Sequence, residues 1–324
     1  MDKIAIGIDL GGTTIKFAFV NEKGEIVVDW STRTPTHEGG QHVLPKICSS
    51  IKMKMREHGL STSDFVGVGM GSPGAVNREK GTVTGAYNLN WSETVRVREQ
   101  IESSLGIPLF FDNDANVAAL GEQWMGAAKD EPNVVFLTLG TGVGGGVIVD
   151  GQLVHGSKDT AGEIGHIKVE EDGFACTCGR MGCLETVASA TGIVNVARQE
   201  AKDYIEISPL AQGIMHGQTI TAKFVFDNIK LKDPLAEAVL TRVGKYLGTA
   251  CANIANILNP STIVIGGGVS KAGDELLRFI VPFFEQTAFP TIAADTAIRI
   301  ASLENTAGVL GAASLVFKET PLSK

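Results

Sequence analysis

Ile4-Ala5-Ile6-Gly7-Ile8-Asp9-Leu10-Gly11-Gly12-Thr13 is an apolar run that stops at a Gly-Gly turn, and Val135-Phe136-Leu137-Thr138-Leu139-Gly140-Thr141-Gly142 repeats the arrangement. Each copy reads as an apolar strand, a Gly/Thr turn and a returning strand. Two copies are too few for a solenoid and suit a pair of similar domains facing each other across a cleft. The competing reading is two unrelated Gly-rich hairpins, since such turns are common. Outward from the first copy, Lys3 to Leu10, Ile15 to Val20 and Glu25 to Trp30 form an antiparallel meander. Leu44, Ile47, Ile51 and Met55 recur at helical spacing in a helix that ends before Gly59, and Phe65 to Met70 and Pro108 to Phe111 return to strand. A helix follows over Ala115 to Trp124. Asn133 to Leu139 is strand, with its return at Val147 to Val149. Beyond lie a long amphipathic segment from Pro234 to Leu258, a buried strand from Thr262 to Gly266 and a last helix from Thr306 to Phe317. The class is α/β with a mixed sheet.

A chain of 324 residues with 44% hydrophobic composition exceeds the usual single core, so two domains are expected. The formal net charge is −8 and no basic run occurs, which argues against nucleic acid as a partner. Five cysteines, with Cys48 and Cys251 isolated, make no disulfide framework and suit a reducing compartment. The first residues lack a basic segment, apolar core and cleavage site, so no signal peptide and a cytoplasmic location are expected. The apolar stretch from Val134 to Val149 is interrupted by glycines and falls short of the roughly 18 residues that span a bilayer, so no membrane association is expected.

Gly11 and Gly12 permit φ > 0 and close backbone approach, so their N–H groups could face phosphate oxygens while Thr13 and Thr14 add hydroxyls. A plain hairpin turn is the alternative. Asp9 beside that turn could orient Mg²⁺ or its waters, or be a solvated turn aspartate. Gly140, Gly142 and Gly145 satisfy G-x-G-x-x-G, but a strand follows where a dinucleotide site needs a helix. No Walker sequence occurs. Gly266-Gly267-Gly268 ends a strand before a helix around Asp274, where backbone could lie against an adenine or ribose.

Asp112-Asn113-Asp114-Ala115-Asn116 puts four polar residues at a strand-to-helix junction, more than one helix cap needs. Asp114 is the candidate general base for an alcohol that attacks a phosphoryl group, and Asn113 could hold a neighbouring hydroxyl. Cys176, Cys178 and Cys183 stand in a Gly-containing loop, with His166 the nearest fourth ligand, which fits a closed tetrahedral zinc site. A redox dithiol or a chance group of thiols are the other readings. Glu163 and Glu185 bracket the group, and acids so placed suit a polyol; the combination points to a sugar-handling enzyme.

Asp-Leu-Gly-Gly-Thr-Thr-Ile-Lys at 9 to 16, Asn-Asp-Ala-Asn at 113 to 116, Leu-Gly-Thr-Gly-Val-Gly-Gly-Gly at 139 to 146, Gly-Glu-Ile-Gly-His at 162 to 166 and Cys-x-Cys-Gly-x-x-Gly-Cys-x-Glu at 176 to 185 occur in this order. Together they resemble the repressor, ORF, kinase (ROK) family, and most of all its bacterial glucokinases. The resemblance implies an actin-like, hexokinase-like (ribonuclease H-like) fold of duplicated α/β domains around a central cleft. It divides the chain into 1–112, joined by the C-terminal helix 306–324, and 113–305, which carries the zinc loop. The implied activity is ATP-dependent phosphorylation of the 6-hydroxyl of glucose by a homodimer, with Mg²⁺ and structural Zn²⁺. Asp114 would take the proton from that hydroxyl. Asn113, Glu163, His166, Glu185 and Asn88 would grip the sugar, His166 giving its other ring nitrogen to zinc. Tyr87-Asn88-Leu89-Asn90-Trp91 departs from the family's Asn-Leu-Gly-Trp at its third residue. Asp9, Gly11, Gly12, Thr13, Thr138, Gly140, Thr141 and Gly142 would surround the ATP phosphates, with Gly267 near the adenosine. Other sugars, fructose and N-acetylmannosamine, are the nearer alternatives, and a sugar-responsive repressor or sensor a further one.

Overall fold

The computed structural model describes residues 3–320. Its first strands are β1 (Ile4–Leu10), β2 (Thr14–Asn21), β3 (Ile26–Arg33) and β4 (Phe65–Ser72). A small antiparallel sheet of β5 (Ala75–Asn77), β6 (Thr82–Thr84) and β7 (Val95–Arg96) follows, then β8 (Leu109–Asn113). Later come β9 (Val134–Leu139), β10 (Val143–Val149), β11 (Gln152–Leu153), β12 (Thr262–Gly266) and β13 (Ala297–Ile300). One sheet runs β3-β2-β1-β4-β8 and another β11-β10-β9-β12-β13. In the first, β1 is antiparallel to β2 and parallel to β4; in the second, β9 is parallel to β12 and β12 to β13. The recurring order, hairpin edge outward and parallel strands on the other side, is the structural form of the echo in the sequence. It is the duplicated α/β arrangement of the actin-like ATPase fold.

The chain divides into two compact units. One holds the residues up to Asp130, Gly146–Gly162 and the chain from Ser302; the other holds Glu131–Gly145 and Glu163–Ala301. The break falls after Asp130 rather than between Asp112 and Asn113, because the helix Asp114–Met125 packs on the helix Ala307–Glu319. Residues 1–2 and 321–324 of the expected first domain lie outside the described residues.

Within the first unit β1 is covered on both faces, so it reads as a continuous apolar run rather than an alternation. Ile6, Ile8 and Leu10 pack with Val43, Ile47 and Ile51 of the helix Val43–Glu57. On the other face Ala5 joins Val309, Ala313 and Val316 of the last helix. That helix comes so close that glycine is obligatory beneath it: Gly7 and Gly69 are register partners on β1 and β4, and a Cβ on either would overlap the Val309 or Ala312 carbonyl oxygen. Gly69→Ala should therefore destabilise the chain by about 3 kcal/mol, because neither carbonyl can rotate away inside a helix. Chemical denaturation that finds less than about 1 kcal/mol would contradict this packing.

In the second unit a core built from β9, β12 and the long helix Pro234–Leu258 includes Leu137, Leu139, Ile263, Ile265, Leu247 and Cys251. Asp233 caps that helix, accepting from the N–H groups of Leu235 (2.9 Å) and Ala236 (3.1 Å). Among the described residues no helix is long and apolar enough to cross a membrane.

Candidate active site

The first Gly-rich turn is built by backbone. Gly11 N–H donates to the Thr14 carbonyl (3.1 Å), Thr34 N–H to the Thr13 carbonyl (2.9 Å) and Thr34 Oγ1 to the Gly11 carbonyl (2.6 Å). Neither Gly11 nor Gly12 adopts positive φ, which corrects the sequence expectation. Glycine is needed there for approach: a Cβ on Gly12 would stand 2.8 Å from the Asn88 carbonyl oxygen. Asn88 is thus set against the turn. Thr13 and Thr14 are exposed, and Asp9 leaves the end of β1 with its Oδ2 3.3 Å from Lys16 Nζ. Lys16 Nζ also donates to the Asn305 carbonyl at 3.3 Å. One carboxylate beside two exposed hydroxyls suits magnesium, which takes few carboxylates and leaves its remaining positions to water and phosphate.

At the second expected cluster the four polar residues separate into two roles. Asn113 is the N-cap, its side chain accepting from Ala115 N–H at 2.9 Å. Asp112 and Asn116 are buried: Asp112 Oδ1 accepts from Asn113 N–H and Asn116 Nδ2, both at 2.8 Å. Asp112 Oδ2 lies 2.6 Å from His155 Nε2 and 3.6 Å from Arg78 Nε, and Arg78 Nη2 reaches Glu319 at 2.6 Å. These two residues form an anchoring network, so the polar excess in the sequence is mostly structural. Asp114 is the exposed member, held at the first helical turn with Oδ1 2.9 Å from Ala115 N–H.

The second Gly-rich turn is shorter than the sequence suggested, because β10 starts at Val143 and takes Gly144 to Gly146 into the strand. Gly140 N–H donates to the Gly142 carbonyl at 2.9 Å, and Thr141 is exposed at the tip. Thr138 pairs with Gly266, and a Cβ on Gly267 would stand 2.6 Å from Leu139 backbone, so both glycine clusters of this unit meet at one end of β9 and β12. A 3₁₀ turn, Val269–Ala272, separates them from the helix Asp274–Thr287. Glu185 reaches the same turn: its Oε2 accepts from Val143 N–H at 3.2 Å and would overlap a Cβ on Gly142.

Glu185 Oε1 in turn lies 3.5 Å from Cys176 Sγ, which links the turn to the cysteine loop. The ligand atoms of His166, Cys176, Cys178 and Cys183 all lie within 4.8 Å of one another. Cys176 Sγ is 3.5 Å from His166 Nδ1, and Cys178 Sγ is 3.7 Å from Cys183 Sγ. A tetrahedral zinc ion holds its S and N ligands about 3.6 Å apart and two S ligands about 3.8 Å apart, so this donor set fits zinc. Burial raises the Cys176 thiol and, with the neighbouring Cys176 and Cys178, pushes Cys183 up to about 12, while the Arg180 backbone N–H lowers Cys178. Burial and mutual repulsion thus oppose ionising all three thiols together, and a bound cation is what would favour the thiolates. His166 turns Nδ1 to the thiols and Nε2 outward, 3.7 Å from Glu163 Oε2.

A model of the ROK family matches residues 5–319. The chain belongs to the ROK family. This ROK protein is 44% identical over 316 residues to a glucokinase of Halalkalibacterium halodurans, covering 97% of this chain and 95% of the relative. A ROK glucokinase of Streptomyces griseus, solved with glucose and AMPPNP, shares 31% identity at a TM-score of 0.77, with 97% and 99% of the two chains covered. A ROK hexokinase of Thermus thermophilus superposes at a TM-score of 0.83 with 28% identity over 98% of each chain. Within this ROK protein, sequence reasoning missed His155 and Arg78 as partners of Asp112 and Lys16 as the partner of Asp9. Nothing near His155 or Arg78 in the sequence signals the contact; for Lys16, antiparallel pairing of β1 and β2 across the Gly turn would have placed it opposite Asp9.

Proposed function

We propose that this ROK protein transfers the terminal phosphoryl group of ATP to the 6-hydroxyl of glucose, giving glucose 6-phosphate and ADP. The observation that carries this reading is the 44% identity to a glucokinase across 97% of the chain. The site chemistry agrees with it. Asp114 takes the proton of the attacking hydroxyl, and Asn113, Asn88, Glu163, Glu185 and the outward Nε2 of His166 bond the remaining hydroxyls. The N–H groups and hydroxyls of the turns at Gly11 to Thr14 and at Thr138 to Gly142 receive the phosphates, and Gly267 lies near the adenosine. Magnesium, bound with ATP, would neutralise phosphate charge, with Asp9 the residue to orient it or its waters. Zinc would be held by His166, Cys176, Cys178 and Cys183, fixing the imidazole so that its free nitrogen reads the substrate.

Sugar choice rests on buried hydrogen bonds, and each one left unpaired by a wrong isomer costs about 1–3 kcal/mol, roughly 5- to 150-fold. In an assay of glucose, mannose, fructose and N-acetylmannosamine with ATP and Mg²⁺, glucose should give the largest kcat/KM by at least such a factor. A larger value for any other sugar would reassign the substrate.

A further inference from the structure

His37, Glu38 and His42 form a second convergent group of metal-ligating side chains among the described residues, their ligand atoms within 4.8 Å of one another. All three are exposed. His42 Nε2 is 2.9 Å from Glu38 Oε2, and the His37 and His42 rings lie 5.0 Å apart between centroids. The backbone makes this convergence at a cost: Glu38 (φ 52°), Gly39 (φ 69°) and Gly40 (φ 70°) are consecutive left-handed residues, and a side-chain-bearing residue rarely adopts that region. The loop is also braced from behind. Trp91 Nε1 donates to the Gly40 carbonyl at 3.1 Å and Asn90 Nδ2 to the Thr36 carbonyl at 2.7 Å. Both donors directly follow the Tyr87–Leu89 turn, whose Asn88 lies against Gly12.

We propose that His37, Glu38 and His42 bind one late first-row divalent ion, such as zinc, nickel or copper, and that its occupancy fixes residues 36–42 against the Asn88 turn. Two imidazoles and one carboxylate are the ligand types these ions prefer, and solvent supplies the open positions. Ligand atoms about 2.1 Å from such an ion stand about 3.0–3.4 Å apart, close to the spacing of His42 and Glu38. Gln41 Nε2, now 2.6 Å from Glu38 Oε2, would release that oxygen to the ion. The donors are oxygen and nitrogen only, which separates this chemistry from the thiolate loop.

The test is calorimetric titration of the intact, nucleotide-free chain with Ni²⁺. The wild type should take up one more equivalent than the His37→Ala/His42→Ala chain, and Glu38→Gln should weaken that equivalent about 10-fold or more. Because all three side chains are exposed, circular dichroism should be unchanged in each variant. A His58→Ala chain should bind like the wild type. Equal uptake by wild type and the double variant, or loss of the same equivalent in His58→Ala, would overturn the site. Ni²⁺ should also slow amide exchange over residues 36–42 and 87–91 in the wild type alone, and unchanged exchange there would overturn the coupling to the Asn88 turn.

Discussion

Asp114→Ala is expected to lower kcat by about 10²- to 10⁴-fold, the usual worth of a positioned general base, while the chain stays folded. Retention of the fold follows from the division of labour at this helix start. Asn113 accepts from Ala115 N–H as well as Asp114 does, so the cap survives the loss of Asp114, and the buried Asp112 ties the strand end to Asn116 and His155. Asp114→Asn should lose nearly as much kcat, because an amide keeps the shape and cannot take a proton. Thermal melting should move little in either variant, and glucose should still bind by calorimetry. The contrast is Asp112→Ala, which removes the acceptor for a buried amide, a backbone N–H and His155 and should cost stability first. A kcat within a few-fold of wild type in Asp114→Ala would take Asp114 out of the chemistry.

Much of this site could be read from local sequence because its parts are local. β1 and its turn announce themselves, since a central strand covered on both faces must be apolar until Asp9, where it nears the Gly-Gly-Thr turn. The cysteines and His166 are readable by spacing and type. What escaped reading depends on partners distant in the chain. The structural role of Asp112 was hidden because nothing beside it in the sequence betrays His155 and Arg78. Gly144 to Gly146 read as turn because glycine has poor strand propensity, yet the strand needs them: a Cβ on Gly146 would stand 2.7 Å from Ala119 Cβ on the Asp114 helix. Strands β5 to β7 span only two or three residues each, too few to show a period of two. The unit boundary after Asp130 likewise follows from a glycine contact between distant helices, Gly311 under the Val117 carbonyl, which periodicity cannot reveal.

Cys178→Ser should release zinc and raise the KM for glucose about 10- to 100-fold, with the KM for ATP little altered. Cys178 is the exposed thiol of the three, so serine there neither opens a cavity nor buries a hydroxyl, and the change isolates ligation from packing. Backbone bonds already shape the loop: Cys176 N–H donates to the Arg180 carbonyl at 2.8 Å, Gly182 N–H to the Phe174 carbonyl at 2.9 Å and Val169 N–H to the Gly182 carbonyl at 2.8 Å, and isolated bridges join Lys168 with Cys183 and Ala175 with Met181. A shared ion would add a side-chain link, tying the His166 imidazole itself to the three thiols. Its loss should free His166 to rotate and loosen Glu163 and Glu185, which flank the ligands in sequence, whereas the phosphate turns keep bonds of their own, Thr34 holding Gly11 to Thr14 and Gly140 N–H donating to the Gly142 carbonyl beside the Glu185 contact. A rise in sugar KM without a matching rise for ATP therefore separates this role from general unfolding. Metal analysis of the purified variant gives the decisive number: zinc near one per chain in the wild type should fall toward zero, and an unchanged content would remove Cys178 from the ligand set.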